Sequence, residues 1–270
     1  MIDKKTRVAL VGAGGWGRQH ARIFARRPDV DFCAIVGRTP GKTKARADEY
    51  GVRHYLDIEQ MLDRERPDLV SLCLPNKGHF EATLKIIQAG YPLLVEKPLV
   101  FSMEEADLLL REAKSRDLFF AINFNHRYAK PVRMAAIAIA EGRLGTITHA
   151  VWRFGGEGGE CHDHENLVET QCHGFDMLEH LCGPIDSLAA QMSDVTGKGY
   201  STMVVALHFA AGAAGALIGS YDSSYAYPGT HWMEINGTKG RILIEDTVQR
   251  YSFQAAGSET AEVWQPGYFN

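Results

Sequence analysis

The first part of the chain alternates short apolar runs with stretches of helical periodicity. The apolar runs cover residues 7–11, 30–36, 69–74, 91–95 and 119–123. Nearly every position in them is apolar, as in parallel strands that are buried on both faces. The intervening stretches predict helices over residues 16–24, 42–50, 57–64, 80–88 and 102–115. This alternation predicts an α/β fold built on a doubly wound parallel sheet.

After residue 123 the pattern is dominated by strands, with one long helix among them. That helix is predicted over residues 166–182, because Gly183-Pro184 is a strong termination signal. Strands are predicted over residues 146–154, 186–193, 201–209, 214–222, 231–236, 241–245, 249–254 and 262–265. Their loose alternation favours a sheet with one face on helices and the other against a partner chain. We therefore predict two domains, 1–123 and 124–270, of which the second is α+β.

The first predicted strand ends in Gly12-Ala-Gly14-Gly-Trp-Gly17, and the first helix follows. This spacing suits a dinucleotide, since Gly12 permits a tight turn, Gly14 lets the backbone approach a pyrophosphate, and Gly17 lets the helix pack on the strand. The pyrophosphate would bind at the helix N-terminus, where backbone N–H groups are unpaired. A tight turn without a ligand is the alternative, but the position after the first strand favours a cofactor site.

The end of the second strand bears on which dinucleotide binds. NAD sites usually place Asp or Glu there for the ribose 2′-hydroxyl, whereas a basic residue accommodates the 2′-phosphate of NADP. Here the strand is followed by Gly37-Arg38-Thr39-Pro40-Gly41-Lys42, without a carboxylate. The sequence therefore favours NADP over NAD. Alternatively, Arg38 stacks on the adenine or is a solvated loop charge.

Two later strand ends carry polar residues at the edge where an open parallel sheet binds ligands. Pro75, Asn76 and His79 follow the strand over 69–74, and we predict them near the cofactor. His79 is equally interpretable as a helix cap. The next long strand ends in Glu96-Lys97-Pro98.

Composition narrows the classes of partner. The 270 residues carry a formal net charge of −4, which offers no general attraction to nucleic acid or to an anionic membrane. Small molecules and copies of the same chain are the expected partners. The five cysteines lack C-x-x-C spacing and suit free thiols in a reducing compartment. The first strand starts too early for a signal peptide and no apolar run approaches a membrane span, so we expect a cytoplasmic protein.

These motifs together resemble the Gfo/Idh/MocA family, the relatives of glucose-fructose oxidoreductase and inositol dehydrogenase. The resemblance rests on the glycine turn at 12–17, Pro75-Asn76 with His79, Glu96-Lys97-Pro98, Asn125-His126-Arg127-Tyr128, Gly142-Arg-Leu-Gly145 and Glu169-Thr-Gln-Cys-His173-Gly-Phe-Asp176. It implies an N-terminal Rossmann domain and a C-terminal domain with an open, mostly antiparallel sheet. It also implies a homodimer or homotetramer through that sheet. Family members commonly continue beyond the last strand, so this chain is expected to be C-terminally short.

The helix predicted over 166–182 carries the candidate chemistry. Glu169, His173 and Asp176 are spaced by four and three residues, so they project from roughly one helix face. The resemblance implies that His173, Glu169 and Lys97 form the catalytic group. An imidazole suits a base that takes a hydroxyl proton while hydride leaves for nicotinamide. Lys97 would stabilise the developing alkoxide, and Glu169 would orient the imidazole or bind a substrate hydroxyl.

The remaining predicted contacts fall into two sets. The predicted cofactor contacts are Gly12, Gly14, Gly15, Trp16, Gly17, Arg38, Thr39, Leu74, Pro75, Asn76, His79, Glu96, Lys97 and Asn125. The predicted substrate contacts are His126, Arg127, Tyr128, Trp152 and Asp176, although a structural role for Asp176 is preferred. The loop Cys161-His162-Asp163-His164 suggests a metal, but zinc ligands need suitable spacing on ordered structure, and we predict none.

The sequence thus predicts an NAD(P)-dependent oxidoreductase acting on a sugar, a polyol or a related alcohol or ketone. Two alternatives remain. One is a catalytically silent regulatory protein that binds NAD(P) or a sugar on the same scaffold. The other is a lyase or glycosidase that oxidises and re-reduces its substrate with a tightly held NAD. Fold alone does not distinguish these functions.

Overall fold

The structure is a computed structural model that describes residues 4–75, 78–156, 165–197, 199, 201–222 and 231–267, with only the backbone of Asn166. The chain forms two compact units, Met1–Asn123 and Phe124–Asn270. Each has its own sheet and its own hydrophobic core.

The first unit is built on a six-stranded parallel sheet of order β3-β2-β1-β4-β5-β6. Its strands are β1 (Thr6–Val11), β2 (Val30–Val36), β3 (Arg53–Tyr55), β4 (Leu69–Leu72), β5 (Leu93–Glu96) and β6 (Phe120–Asn123). The middle of β1 is almost fully buried, as expected for a strand with helices on both faces. The strand order reverses at β1, between β2 and β4, which is the position where such sheets bind ligands.

In the described part of this unit, five helices connect these strands. They are α1 (Gly15–Phe24), α2 (Pro40–Tyr50), α3 (Ile58–Glu65), α4 (His79–Gln88) and α5 (Met103–Ser115). Local sequence determines several of their ends. Asp57 caps α3 by accepting a hydrogen bond from the Gln60 N–H, and Gly51 ends α2 in the left-handed conformation.

The second unit contains an eight-stranded sheet of order β14-β13-β12-β11-β7-β10-β9-β8. Its elements are a 3₁₀ helix (Asn125–Tyr128), α6 (Lys130–Ala140), β7 (Ile147–Gly155), α7 (Glu165–Cys182), β8 (Ile185–Ser193), β9 (Thr202–Phe209), β10 (Ala214–Ser220), β11 (Trp232–Gly237), β12 (Gly240–Glu245), β13 (Arg250–Ala255) and β14 (Glu262–Trp264). β10 and β7 pair in parallel, and the other neighbouring strands are antiparallel.

One face of this second sheet is buried against α6 and α7, and the other is open. On β9 the buried residues Val205 and Leu207 alternate with the exposed residues Val204 and Ala206. The period of two places the first pair in the core and the second on the open face.

The predicted fold class is confirmed in both units, a Rossmann-type parallel sheet followed by a mostly antiparallel one. The strand pattern in the sequence missed α6, although it has Pro131 in its first turn and buries Val132, Ala135 and Ala138 at helical spacing. Its alanine-rich composition gives a weak hydrophobic contrast, so the helix is obscured next to the stronger strand signals.

Two expectations drawn from the whole sequence concern membrane-spanning segments and the cysteines. Within the described residues, no helix combines the length and the apolar character that a membrane crossing requires. Cys33, Cys73, Cys172 and Cys182 are free thiols. Cys161 lies outside the described residues.

Candidate functional site

The glycines of the turn after β1 differ in how much space surrounds them. Gly12 has φ +134°, and a Cβ on it would lie 2.1 Å from the Cys73 carbonyl oxygen. A Cβ on Gly17 would lie 1.9 Å from the Gly12 carbonyl oxygen. In contrast, a Cβ on Gly14 or Gly15 would meet nothing within 4 Å. Gly12 and Gly17 therefore permit the close packing, while the space next to Gly14 and Gly15 is open.

The N-terminus of α1 at this turn has no side-chain cap. Gly14 is the N-cap residue, and the first turn contains no acidic side chain. The unpaired N–H groups and the positive end of the helix dipole are therefore available to an anion. Trp16 is 67% exposed beside them, whereas Gly17 is buried.

A cavity of about 130 Å³ adjoins the turn at the carboxyl ends of β1, β2 and β4. It is lined by Gly12, Ala13, Gly14, Gly37, Arg38, Thr39, Lys42, Thr43, Cys73, Leu74 and Pro75. Two of these residues, Arg38 and Lys42, are cationic, and none carries a carboxylate. The glycine turn, the uncapped helix and the cationic lining fit the charge and shape of a dinucleotide phosphate. The predicted contact Asn76 lies outside the described residues.

Lys42 is not among the site residues predicted from the sequence. Its position in the first turn of the helix after β2 is the signal that would have identified it. Thr43 is structural here, because its hydroxyl donates to the Thr39 carbonyl at 2.8 Å.

His79 connects two of the loops that were predicted to form the site. Its ring is 1% exposed, with Nε2 at 2.7 Å from the Leu74 carbonyl oxygen and Nδ1 at 3.1 Å from the Pro98 carbonyl oxygen. The ring does not cap its own helix. Both ring nitrogens thus face backbone oxygens of the loops after β4 and β5, so the contact with a cofactor stays a prediction.

Glu96 is the centre of a hydrogen-bonded network behind the glycine turn. Its Oε1 lies 2.8 Å from His20 Nε2 and accepts from Asn123 Nδ2 at 2.6 Å, while Ser71 Oγ lies 3.0 Å from His20 Nδ1. Burial opposes the charged form of Glu96, but the hydrogen bonds from His20 and Asn123 outweigh it and lower its pKa. The half-buried Lys97 follows directly, so this network fixes the backbone from which its side chain projects.

His20 is a residue that the sequence reasoning missed. It is a buried polar side chain on the face of α1 that also buries Gly17 and Ala21. Such a position is a signal for a buried polar partner. Among the described residues, His20, Cys73 and Glu96 form the one group whose ligand atoms lie within 4.8 Å of each other. The network already pairs His20 and Glu96, and burial raises the pKa of the Cys73 thiol to about 12. The loop at 161–164 lies outside the described residues.

In the second unit, an ion pair fixes the 3₁₀ helix to α7. The Arg127 guanidinium donates from Nε to both Asp176 oxygens at 2.8 and 2.9 Å, and from Nη2 to Oδ1 at 2.5 Å. The hydrogen bonds to Asp176 raise the pKa of Arg127. Asp176 is buried, and both of its oxygens accept from Arg127. This geometry supports its structural interpretation, and a substrate contact from either residue stays a prediction.

The same pairing of elements brings two imidazoles together, and a third, that of His231 just before β11, lies beside them. The rings of His126 and His173 stack with centroids 4.0 Å apart and planes 12° apart. The His231 ring lies 5.6 Å from that of His126, and Trp152 and Phe154 pack edge-on against it. Burial, and then the proximity of His126, lower the pKa of His231 to about 3, so this ring is neutral near pH 7.

The other predicted residues of this unit differ in exposure. Tyr128 is 74% exposed and Asn125 is exposed, whereas Trp152 is buried in the core with its indole N–H donating to Gln171 Oε1 at 3.3 Å. The position of Trp152 is that of a core residue, and its predicted role as a substrate contact stays a prediction. Glu169 is half-buried, one turn before His173 on α7.

The sheet order, the glycine turn and the uncapped helix define a dinucleotide-binding Rossmann protein. A model of the oxidoreductase family with an NAD-binding Rossmann fold matches residues 6–124, and a model of the GFO/IDH/MocA C-terminal domain matches residues 132–243. The chain therefore belongs to the Gfo/Idh/MocA family of oxidoreductases, which confirms the resemblance noted in the sequence. It is an enzyme of the nicotinamide-dependent dehydrogenase class.

Named relatives cover the chain to different extents. A D-glucoside 3-dehydrogenase of Escherichia coli (strain K12) is 32% identical over 149 residues, which are 54% of this chain and 42% of that protein. A myo-inositol 2-dehydrogenase of Thermotoga maritima is 24% identical over 253 residues, 89% of this chain and 75% of that protein. The structure of a levoglucosan dehydrogenase in complex with NADH and L-sorbose superposes with a TM-score of 0.87 at 20% identity, covering 98% of this chain and 80% of that one.

We expect Gly14→Ala to weaken dinucleotide binding by about tenfold or more, a loss of about 1.4 kcal/mol. The added methyl group enters the open space next to the α1 N-terminus and contacts no protein atom within 4 Å, so the stability of the fold is retained. Calorimetric titration with NADH and NADPH measures the affinity. Gly17→Ala is the matched comparison, because its methyl group overlaps the Gly12 carbonyl and destabilises the fold by about 1–3 kcal/mol. Equal affinities of Gly14→Ala and the unsubstituted protein would contradict this placement of the dinucleotide.

Proposed function

We propose that this protein transfers a hydride between a nicotinamide dinucleotide and a secondary alcohol of a sugar or polyol, or the corresponding ketone. The first domain, residues 1–123, binds the dinucleotide, and the second, residues 124–270, binds the substrate and forms the oligomer. The observation that carries the proposal is the open cavity at the uncapped N-terminus of α1, with its glycine and cationic lining. The names of the relatives, a glucoside 3-dehydrogenase and an inositol 2-dehydrogenase, support the class of substrate.

Three side chains are assigned to the reaction by the family resemblance. When bound, the nicotinamide ring accepts or supplies the hydride. His173 takes the hydroxyl proton during oxidation and returns it during reduction. Lys97 holds a positive charge where negative charge develops on the substrate oxygen. Glu169, one turn before His173, orients the imidazole or accepts a hydrogen bond from a second hydroxyl of the substrate.

Among the residues lining the cavity, Arg38 and Lys42 favour NADP over NAD. Both side chains are exposed, and no carboxylate lines the cavity to bond a ribose 2′-hydroxyl. The levoglucosan dehydrogenase structure contains NADH. The NADP preference proposed here therefore rests on this chain's own residues after its second strand, not on that relative.

Arg38→Ala is expected to raise the Kd for NADPH by about 10- to 100-fold, because a charge-assisted hydrogen bond to the 2′-phosphate is lost. The Kd for NADH is expected to change little. Isothermal titration with both reduced dinucleotides measures the ratio. Arg26→Ala, an exposed arginine just after α1, is the matched control and leaves both values unchanged. A parallel change for NADPH and NADH would contradict a role in 2′-phosphate recognition.

A panel of sugars, polyols and keto-sugars, followed at the absorbance band of reduced nicotinamide, tests the reaction itself. Net reduction or oxidation of the dinucleotide supports the proposal. Dinucleotide binding without turnover would favour the regulatory alternative. Product formation without a net absorbance change, from protein that retains NAD through purification, would favour the lyase or glycosidase alternative.

We further propose that the open face of the second sheet is the contact between copies of the chain. The exposed Val204 on β9 pairs with Ile218 on β10, and in the neighbouring row Ala206 on β9, Ala216 on β10 and Val151 on β7 lie side by side. An apolar row of this kind on an open sheet face is typical of an interface between protein chains. Sedimentation velocity distinguishes a dimer or tetramer from a monomer.

A further inference from the structure

The stacked imidazoles of His126 and His173 have a consequence for the proposed base. Their ring planes are nearly parallel and their centroids are 4.0 Å apart, which is closer than the roughly 4.5–7 Å usual for aromatic pairs. Two positive charges at this distance repel strongly in a partly buried environment. The pair therefore holds one proton much more readily than two, and its protonation steps are coupled.

The two rings differ in their access to water, which decides where the first proton binds. His173 is 9% exposed on α7, whereas His126 lies in the less buried 3₁₀ helix. Burial penalises the charged form of an imidazole. The first proton is therefore better accommodated on His126.

Among the described residues, the other titratable and charged groups around the pair are His231, the Arg127–Asp176 ion pair and Glu169. His231 faces His126 and is neutral, because burial and His126 lower its pKa to about 3. Arg127 and Asp176 neutralise each other in their ion pair. Glu169 lies one turn before His173 on α7, so its charge favours the protonated ring of that residue and opposes the effect of His126.

We propose that His126 is a positioning residue for His173, because its ring fixes the plane of the His173 ring and takes the first proton of the pair. His173 consequently stays neutral, and able to accept a proton, to lower pH than an isolated imidazole. This inference rests on the proposed role of His173 as the base. The Arg127–Asp176 ion pair, which joins the 3₁₀ helix to α7, maintains the stack.

The test is a pH titration of the histidine ring signals by NMR on the full chain, with the His173 signal assigned by its loss in His173→Phe. In His126→Phe the stack is retained but the second charge is absent. The midpoint of the His173 titration is expected to rise by about one pH unit, because a neighbouring charge no longer disfavours its protonation. His54→Phe, an exposed histidine on β3, is the matched control and leaves the midpoint unchanged.

His126→Arg separates charge from packing and provides a second variant if His126→Phe does not fold. A guanidinium is planar, stacks on rings and is always charged, so the His173 midpoint is expected to be at or below that of the unsubstituted protein. A His173 midpoint that is unmoved in His126→Phe, or raised in His126→Arg, would overturn the inference.

Activity provides an independent readout. In His126→Phe the acid limb of kcat/KM against pH is expected to move to higher pH by the same amount as the NMR midpoint. An NMR shift in a protein that turns over no alcohol would contradict the proposed reaction and leave the order of protonation standing. Turnover with an unmoved acid limb would contradict the role of His126 and leave the proposed reaction standing.

Discussion

Substituting His173 by asparagine is expected to lower kcat by about 10²- to 10⁴-fold, the usual contribution of a general base. Asparagine retains polarity and approximate size but does not accept a proton at the relevant pH. His173 belongs to the second unit, and the dinucleotide cavity is lined by residues of the first, so the Kd for the dinucleotide is expected to be unchanged. Steady-state kinetics on the best alcohol substrate and calorimetric titration measure the two quantities.

Lys97→Met provides the second arm of this experiment. Methionine keeps the length of the side chain and removes its charge, so kcat is expected to fall by about 10²- to 10³-fold through lost electrostatic stabilisation. The matched controls are His54→Asn and Lys114→Met, both at exposed positions of the first unit. Turnover within tenfold of the unsubstituted protein in both His173→Asn and Lys97→Met would show that these residues are not the catalytic group.

Glu65→Ala is expected to lower the free energy of unfolding by about 3 kcal/mol, the lower end of the range for a broken buried ion pair. The Glu65 side chain is fully buried at the end of α3. It accepts a hydrogen bond from Arg7 Nη2 at 2.6 Å, and further hydrogen bonds from Arg53 and Tyr55. Arg53 is largely exposed, so water replaces part of the hydrogen bonding that its guanidinium loses in the variant, and this limits the loss of stability.

Urea denaturation followed by circular dichroism measures this change. Asp63→Ala, an exposed carboxylate on the same helix, is the matched control and is expected to change stability by less than about 0.5 kcal/mol. Glu65→Gln keeps the volume of the side chain and isolates the contribution of the charge. A Glu65→Ala value as small as that of Asp63→Ala would contradict the buried network.

The sequence predicted the first unit more completely than the second. Apolar runs bounded by glycine and by amphipathic helices are local signals, and every strand of the parallel sheet except the short β3 carries one of them. α6 was missed because alanines at its buried positions give little contrast between its faces. The pairing of β10 with β7 in parallel inside an otherwise antiparallel sheet depends on contacts between distant residues, and no local pattern encodes it.

In the candidate site, too, the sequence predicted what local segments determine and not the contacts that distant segments supply. The glycine turn was recognisable because its glycines have a fixed spacing: Gly12 and Gly17 permit close backbone packing, and Gly14 leaves the space at the N-terminus of α1 open. His79 was predicted to contact the cofactor or to cap a helix; its ring lies between the Leu74 and Pro98 carbonyls and does not cap its helix, and the cofactor contact stays a prediction. Trp152 was predicted to contact the substrate; its side chain is packed in the core, and that contact stays a prediction. In both cases the surroundings of the side chain come from other strands and loops.

The sequence by itself determined the class of fold, the position of the dinucleotide turn and the family, because these depend on periodicity and on glycines within short segments. The tertiary structure decided which polar side chains pair with one another. Arg127 reaches Asp176 across 49 residues, and the same contact between elements stacks His126 on His173. Such pairs depend on how the 3₁₀ helix packs on α7, and packing is a property of the folded chain rather than of either segment alone.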